Sequence, residues 1–339
     1  MKPLIIPIFI SHTGCPHRCI FCDQERITSQ SARPVDAISV REVLDRAIHT
    51  ETFDPDRNPE VAFYGGTFTG LPKDKMKRLL QAVAPYIEDR LIRSIRVSTR
   101  PDCIDEDRLK ILRECRVETV ELGVQSMDEN VLSMARRGHT TCDVTRAVSM
   151  LKEAGFKVGV QLMPGLPGDS LDTFRATIEK VICLGPDMAR IYPALVIAGT
   201  DLARMYDEGT YRPLTLKEAL DFCVDGTSRL EANGIPVIRI GLMSSPSLLE
   251  AGRILAGPWH PAFGFLVRSA IHHQAIEPDL PARGTVDRIR IFAPQEEIPL
   301  VRGHRNQGIR MIEEKTGAMV IGIASDDRVP EGRVRIEAR

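Results

Sequence analysis

The fold is decided by residues 61–100, which read VAFYGGTFTGLPKDKMKRLLQAVAPYIEDRLIRSIRVSTR. This stretch begins with a short apolar run that ends in two glycines, VAFYGG (61–66), and closes with a β-branched run, SIRVSTR (94–100). Between them, DKMKRLLQAVAPYI (74–87) has apolar residues at the spacing of one helix face. A strand, a helix and a second strand in this order are typical of a parallel βαβ unit.

The same alternation continues on both sides of this unit, over residues 1–245. Further strands are predicted at LIIPIFI (4–10), TVELGVQ (119–125), KVGVQLMP (157–164), ARIYPALVI (189–197) and PVIRIGL (236–242). Cys15, the Gly65–Thr67 turn, Arg100, Gln125 and Met163–Pro164 fall at or just after strand ends, the edge where (β/α) barrels build active sites. We therefore predict an α/β fold with a partial (β/α)6-type TIM barrel rather than a doubly wound sheet.

The rest of the chain is predicted to form two further parts. Residues 246–285 lose the regular alternation and are interpreted as a helix, a Gly/Pro turn and a second helix, a connector packed on the barrel. In residues 286–339, strands are predicted at VDRIRIF (286–292), AMVIGIA (318–324) and RVRIEA (333–338), with helices at QEEIPLV (295–301) and QGIRMIEEKTG (307–317). This pattern indicates a separate small α+β domain.

Composition and charge limit the class of protein. The chain has 339 residues, 43% hydrophobic and 27% charged, with a formal net charge of −1, so no global attraction to nucleic acid or membranes is expected. The first apolar run is interrupted by Pro7 and has no small-residue cleavage site after it. We expect neither a signal peptide nor a membrane span, and hence a cytoplasmic protein with no membrane partner.

Three cysteines lie close together in HTGCPHRCIFCDQ (12–24): Cys15, Cys19 and Cys22. In the reducing cytosol such a group is expected to bind metal or do redox work. Three thiolates can bind three irons of a [4Fe-4S] cluster and leave the fourth iron open. A tetrahedral zinc site completed by His12 or His17 is an alternative, and a coincidence without function is another. The other five cysteines are scattered singly and are expected to be small buried hydrophobic residues.

The spacing Cys-x3-Cys-x2-Cys, with Phe21 before the third cysteine, resembles the signature of the radical S-adenosylmethionine (SAM) superfamily. The resemblance implies a barrel of that type, a [4Fe-4S] cluster bound by the three cysteines, and SAM bound at the open iron. Electron transfer from the cluster would cleave SAM to a 5′-deoxyadenosyl radical. An external electron donor such as flavodoxin or ferredoxin is implied as a partner. No catalytic residue is identified beyond the cluster ligands.

The loop FYGGTFTGLP (63–72) matches the GGT element of the same superfamily, which implies contacts to the SAM amino group. Glycines there allow the backbone to approach a ligand closely. Arg137 suits the SAM carboxylate because a guanidinium binds it with two parallel hydrogen bonds. Gln125 and Gln161 suit the ribose hydroxyls, although the related coproporphyrinogen III oxidase family has acidic residues where Ser98 and Gln161 stand. The residues implied to bind SAM are Phe21, Gly65, Gly66, Thr67, Ser98, Gln125, Arg137 and Gln161.

Two longer segments, RRGHTTCDVTRAVSMLKEAGFKVGVQLMPGLPG (136–168) and RIYPALVIAGTDLARMYDEGTYRPLTLKEAL (190–220), resemble the radical SAM domain of the Elongator catalytic subunit family. That family modifies wobble uridines of tRNA. The chain differs in its shorter spacing between the first two cysteines, and we expect no acetyltransferase domain in it. The resemblance implies a radical SAM enzyme acting on RNA, and on tRNA in particular. A small-molecule or porphyrin-like substrate is one alternative, and a non-enzymatic, metal-binding RNA-binding protein is another.

The segment VRGHRNQGIRMIEEKTGAMVIGI (301–323) resembles a KH-like RNA-binding unit, whose G-x-x-G loop clamps the backbone of about four nucleotides. Asn306 replaces the second glycine and is the residue that best tolerates a left-handed backbone. The alternative is a domain that only packs against the barrel or a partner. The predicted RNA contacts are Gly303, His304, Arg305, Asn306 and Arg310.

Overall fold

The computed structural model describes residues 3–24, 35–242 and 245–338. Contacts divide the chain into two compact units. The first comprises Met1–Phe222 and Arg229–Trp259, and the second comprises Cys223–Ser228 and His260–Arg339. The three-part division into residues 1–245, 246–285 and 286–339 stays a prediction.

The first unit is built on an open, curled sheet of seven parallel strands, which confirms the predicted partial barrel. The strands of the unit, of which β7 and β9 lie outside this sheet, are β1 (Ile5–Phe9), β2 (Glu60–Tyr64), β3 (Ser94–Thr99), β4 (Val117–Gln125), β5 (Lys157–Leu162), β6 (Met188–Ile191), β7 (Val196–Ile197), β8 (Val237–Ile240) and β9 (Ile254–Ala256). The large sheet has the order β1-β2-β3-β4-β5-β6-β8, and every pair in it is parallel. All seven carboxyl ends therefore lie along one edge.

Helices connect these strands and cover the sheet. They are α1 (Ala37–Ile48), α2 (Lys73–Gln81), α3 (Ala84–Glu88), α4 (Glu106–Glu114), α5 (Glu129–Met134), α6 (Thr141–Glu153), α7 (Leu171–Leu184), α8 (Asp201–Asp207) and α9 (Leu216–Ala232). Helix α6 begins where the Thr140 hydroxyl accepts the Asp143 N–H and the Asp143 carboxylate accepts the Thr140 N–H, a reciprocal cap that satisfies two backbone donors. Sheet residues such as Val61 and Phe63 are fully buried, as expected for parallel strands covered by helices.

Three local predictions were wrong, each where proline or glycine alters the backbone. The strand predicted at 189–197 is interrupted at Pro193 into β6 and β7, and β7 pairs with β9 in a separate antiparallel sheet. The helix predicted at 74–87 is divided into α2 and α3, with Pro85 in the first turn of α3. The helix predicted after residue 246 is a series of turns that includes Gly252 at φ +78°.

The second unit has the elements predicted for the end of the chain. They are α10 (Phe263–Ile276), β10 (Arg288–Ala293), α11 (Ile298–Arg302), α12 (Gln307–Thr316), β11 (Met319–Ser325) and β12 (Arg335–Ala338). The sheet order is β11-β10-β12, with β11 parallel and β12 antiparallel to β10. Its core includes the fully buried Ile289, Ile291 and Val301. Among the described residues, no helix of the chain is long and apolar enough to cross a membrane.

Candidate active site

A cavity of about 570 Å³ opens in the first unit, lined by the loops that follow the parallel strands. All the residues predicted to bind the cluster or SAM line this one cavity, although they come from five strand ends. They are Cys15, Cys19, Phe21, Cys22, Gly65, Gly66, Thr67, Ser98, Gln125, Arg137 and Gln161. The parallel order of the strands brings them together, because it places every carboxyl end at the same edge.

Each of the three clustered thiols has a polar neighbour. The Cys15 Sγ lies 3.2 Å from the Thr67 Oγ1. Arg137 donates from Nη1 to the Cys19 Sγ at 3.0 Å. Burial, with a smaller contribution from the nearby Cys19 thiol, raises the pKa of Cys22 to about 12. Burial and the neighbouring thiolates disfavour the charged form of this thiol, so a bound cation would be needed to keep it deprotonated.

Three thiols fit a [4Fe-4S] cluster, in which each thiolate binds a different iron. Among the described residues, no group of three or more His, Cys, Asp or Glu side chains converges on one metal ion. The zinc alternative would need His12 or His17 as its fourth ligand. His12 accepts the Gln24 N–H at its Nε2, 2.9 Å away. The His17 ring lies against Gly138, so both histidines have structural contacts in the loops.

The Gly65–Thr67 turn packs directly on the cysteine loop, and this explains its glycines. A Cβ on Gly66 would lie 2.5 Å from the carbonyl oxygens of Ile10 and Thr13, too close for any other residue. Gly65 has φ +86°, a conformation that favours glycine. Thr67 donates its backbone N–H to Thr13 O at 3.0 Å. The turn therefore holds the cysteine loop in place, a structural role that does not depend on SAM.

Two of the predicted ribose contacts lie side by side. The Gln161 Nε2 donates to the Gln125 Oε1 at 3.4 Å. Gln125 is buried and has φ +69°, at an irregularity in the β4–β5 pairing that turns its side chain at the strand end. Ser98 lies on β3 and lines the same cavity. The side-chain amides leave further donors and acceptors for a hydroxylated ligand.

A buried ion network, three of whose members line the cavity, was not predicted from the sequence. Glu121 of β4 accepts from Arg96 Nη1 at 2.6 Å and lies 2.7 Å from Arg190 Nε. Arg190 also donates to the Tyr64 hydroxyl at 2.8 Å, and Arg96 to Glu60 at 2.7 Å. Burial, and after it the Glu121 carboxylate, raises the pKa of Tyr64. The sequence signal for this network was a charged residue inside an otherwise apolar strand, Arg96 in SIRVSTR and Glu121 in TVELGVQ.

Two more buried groups lie near the thiols. Arg100 pairs with Asp102 through Nε and Nη2, both at 2.9 Å. The His139 Nε2 lies 3.2 Å from Val124 O, and its Nδ1 is buried with no partner in the described part of the chain. Burial first, and then Arg137, lowers the pKa of His139 to about 3, so the imidazole is neutral.

In the second unit, the predicted RNA-contact loop lies between α11 and α12. Asn306 has the left-handed conformation predicted for it, with φ +59°, and Arg305 has φ +51°. Gly303 is required because a Cβ there would lie 2.6 Å from the Gly308 nitrogen. The His304 ring packs edge-on against His260, with centroids 5.0 Å apart, while Arg305 is exposed.

A partial parallel barrel with three thiols and a buried guanidinium at its carboxyl edge defines a SAM-dependent iron–sulfur enzyme. The chain belongs to the radical SAM superfamily: the profile of that superfamily matches residues 9–181, and the profile of the Radical_SAM C-terminal domain matches residues 186–273. The superfamily uses a [4Fe-4S] cluster and SAM.

Several relatives resemble the chain at modest identity. "Uncharacterized protein MJ0486" of Methanocaldococcus jannaschii is 29% identical, over 85% of this chain and 87% of its own length. A tRNA uridine(34) acetyltransferase of Dehalococcoides mccartyi is 30% identical over 59% of this chain. The chain spans about half the length of the tRNA uridine(34) acetyltransferases it matches. A solved archaeal Elp3 from Methanocaldococcus infernus, lacking its N-terminus, shares the fold, with a TM-score of 0.61 and 23% identity over 81% of this chain and 64% of that one.

Proposed function

We propose that this radical SAM enzyme modifies RNA, and tRNA in particular. The observation that carries the radical SAM part is the convergence of every predicted cluster and SAM residue on one cavity. The RNA part is supported by relatives named tRNA uridine(34) acetyltransferases and Elongator complex protein 3. A loop of KH-like sequence and left-handed backbone in the second unit supports it independently.

In this proposal Cys15, Cys19 and Cys22 bind three irons, and the neighbouring polar groups stabilise the sulfur charge. Thr67 lies beside the first thiol and Arg137 donates to the second. Hydrogen bonds to cluster sulfurs are a recognised way in which a protein tunes an iron–sulfur site. When bound, the cluster and SAM supply a carbon radical for hydrogen abstraction.

Arg137 is proposed to orient SAM as well. Its Nη1 and Nη2 contact the Cys19 Sγ and Gly123 O, while its Nε is buried with no partner in the described part of the chain. An unpartnered buried guanidinium N–H is costly, so a carboxylate that accepts it would be bound favourably. Gln125 and Gln161 offer amide groups to the ribose, and Phe21 offers an aromatic surface to the adenine.

The second unit is proposed to hold the RNA backbone. Consecutive residues with positive φ at Arg305 and Asn306 turn the chain sharply between two helices, as a G-x-x-G loop does. Arg305 and Arg310 are exposed cations on this turn and the helix after it. Such side chains contact phosphates without reading bases, so the affinity would depend strongly on salt.

The decisive experiment is anaerobic reconstitution followed by assays of SAM cleavage and of tRNA. With dithionite or flavodoxin as reductant, 5′-deoxyadenosine should form, and bulk tRNA should increase its formation. Mass spectrometry of nucleosides from that tRNA should show a new mass that requires SAM. Cleavage that no RNA stimulates, with no new nucleoside, would refute the RNA substrate. No cleavage at all would refute the enzyme claim.

The RNA-binding role is tested separately by Arg305→Gln, with Arg328→Gln as control. Arg328 is an exposed arginine of the same unit that pairs with Asp326 at 2.9 Å. Loss of one phosphate contact should weaken tRNA binding uniformly and reduce the slope of log affinity against log salt by about 1. Equal slopes for both variants and the unmodified protein would exclude a phosphate contact at Arg305.

A further inference from the structure

The cavity of the first unit carries more positive charge than the cluster and SAM sites explain. Among the described residues that line it, the charged ones are Arg18, Arg100, Arg137, Arg190, Arg239 and Glu121. Arg100 is paired with Asp102, and Arg190 with Glu121. Arg137 donates to the Cys19 Sγ. Arg18 is exposed on the cysteine loop, whereas the remaining cation, Arg239, is half-buried on a strand of the sheet.

Arg239 lies in a row of polar side chains that crosses the sheet. In the parallel register Gln161 of β5 is level with Arg190 of β6, and Arg190 is level with Arg239 of β8. All three line the cavity. Arg239 is half-buried, and within the described part of the chain its guanidinium has no hydrogen-bond or ion-pair partner.

The neighbours of Arg239 do not compensate its charge. Arg190, level with it on the adjacent strand, is itself a cation, and like charges on neighbouring strands destabilise a sheet. Glu121 is the carboxylate among the described residues that line the cavity, but it lies three strands away on β4 and already pairs with Arg96 and Arg190 at 2.6 and 2.7 Å. A guanidinium held in a concave, partly desolvated site attracts anions more strongly than it would in water.

We propose that Arg239 binds an anionic group of the substrate, a phosphate or a carboxylate, inside the barrel. The planar guanidinium matches either group with two parallel hydrogen bonds. This inference rests on the proposed function for the source of the anion. If RNA enters the cavity, the anion is a nucleotide phosphate. If a small acid is the substrate or co-substrate, the anion is its carboxylate.

The test is calorimetric titration of the anaerobic holoenzyme, loaded with cluster and SAM, with three probes. Uridine 5′-monophosphate carries the phosphate, glutarate carries carboxylates, and uridine is the neutral comparison. Arg239→Gln should weaken binding of at least one anion by about tenfold or more, the usual strength of a charge-assisted hydrogen bond. Uridine binding should not change. Arg239→Lys should retain most of the anion affinity because it keeps the charge.

Arg41→Gln is the matched control, since Arg41 is an exposed arginine on α1. It should bind all three probes as the unmodified protein does. Arg239→Met, which keeps an aliphatic stem, serves as a second neutral variant if Arg239→Gln does not fold by circular dichroism. Equal anion affinity in the neutral variants and the unmodified protein would overturn the proposal. Anions that bind the unmodified protein no better than uridine would overturn it as well.

The probes distinguish the two sources of the anion. They also separate a failure of the anion site from a failure of the RNA proposal. Arg239-dependent binding of the monophosphate supports a nucleotide phosphate in the cavity, and Arg239-dependent binding of glutarate alone supports a small acid. Arg239-dependent binding of glutarate together with no new tRNA nucleoside would support the anion site and refute the RNA substrate. A new nucleoside with no Arg239-dependent anion binding would support the RNA substrate and overturn the anion site.

Discussion

Replacing Glu121 by glutamine should destabilise the first unit strongly, although the two side chains have nearly the same shape. Glu121 is 5% exposed and is the carboxylate shared by two buried guanidinium groups, those of Arg96 and Arg190. Glutamine keeps one acceptor oxygen but removes the charge. Arg190 is then left largely buried beside Arg239, and in the described part of the chain neither guanidinium has an anionic partner.

The expected loss follows from this geometry. Removing one partner of a buried ion pair costs about 3–5 kcal/mol, because the remaining charge stays desolvated and unpaired. The lower value, about 3 kcal/mol, applies here because Glu60 still binds Arg96 and the glutamine oxygen still accepts one hydrogen bond. For a unit of this size, about 3 kcal/mol corresponds to a decrease in Tm of about 6–12 °C.

The assay is thermal and urea unfolding of the holoenzyme under anaerobic conditions, with Glu179→Gln as the matched control. Glu179 pairs with Arg229 at 2.8 Å, but both side chains are about half exposed. A surface pair of this kind contributes at most about 1 kcal/mol. A difference in Tm of about 2 °C or less between Glu121→Gln and Glu179→Gln would be well below the expected decrease. The charge balance inferred for the cavity would then be wrong.

Three further predictions concern other parts of the chain. Cys22→Ala should lose the cluster, seen as lost visible absorbance and lost iron and sulfide after reconstitution, whereas Cys142→Ala, at an exposed cysteine, should keep both. Burial and Arg137 lower the pKa of His139 to about 3 in the folded protein, against about 6.5 in the unfolded chain. Between these two pH values His139 binds a proton only in the unfolded chain. Stability should therefore fall as pH decreases from about 6.5, by up to about 1.4 kcal/mol per pH unit, and His139→Gln should show a shallower dependence in urea unfolding from pH 7 to pH 5. At Asn306, with φ +59°, valine should cost about 1–2 kcal/mol of unfolding free energy and glycine almost nothing; equal stability of the two variants would contradict a left-handed backbone.

The fold and the cluster loop could be predicted because their signals are local. Parallel strands buried on both faces read as continuous apolar runs, as Val61–Phe63 does, and the following turns mark where they end. Once the strands are placed, parallel topology alone brings their carboxyl ends together. Residues as distant in sequence as Cys19 and Arg137 therefore meet, at 3.0 Å, without any direct sequence signal linking them.

What could not be predicted depends on pairing between distant segments. The short β7–β9 pairing joins residues 196–197 to residues 254–256, and no local propensity selects that partner. The Glu121 network was missed for a related reason. A charge in a strand is ordinarily expected at the surface. Glu121 and Arg190 are 69 positions apart, so their pairing becomes visible only when the sheet curls and both side chains point into the barrel.

The same charges that stabilise the barrel also leave its cavity cationic. Glu121 already pairs with Arg96 and Arg190, and it lies on β4, three strands away from Arg239 on β8. A second carboxylate in the row formed by Gln161, Arg190 and Arg239 would give Arg239 an anionic partner. A neutral amide stands there instead. Arg239 thus stays without an anionic partner among the residues that the structure describes, a cost in stability that a bound anion would offset.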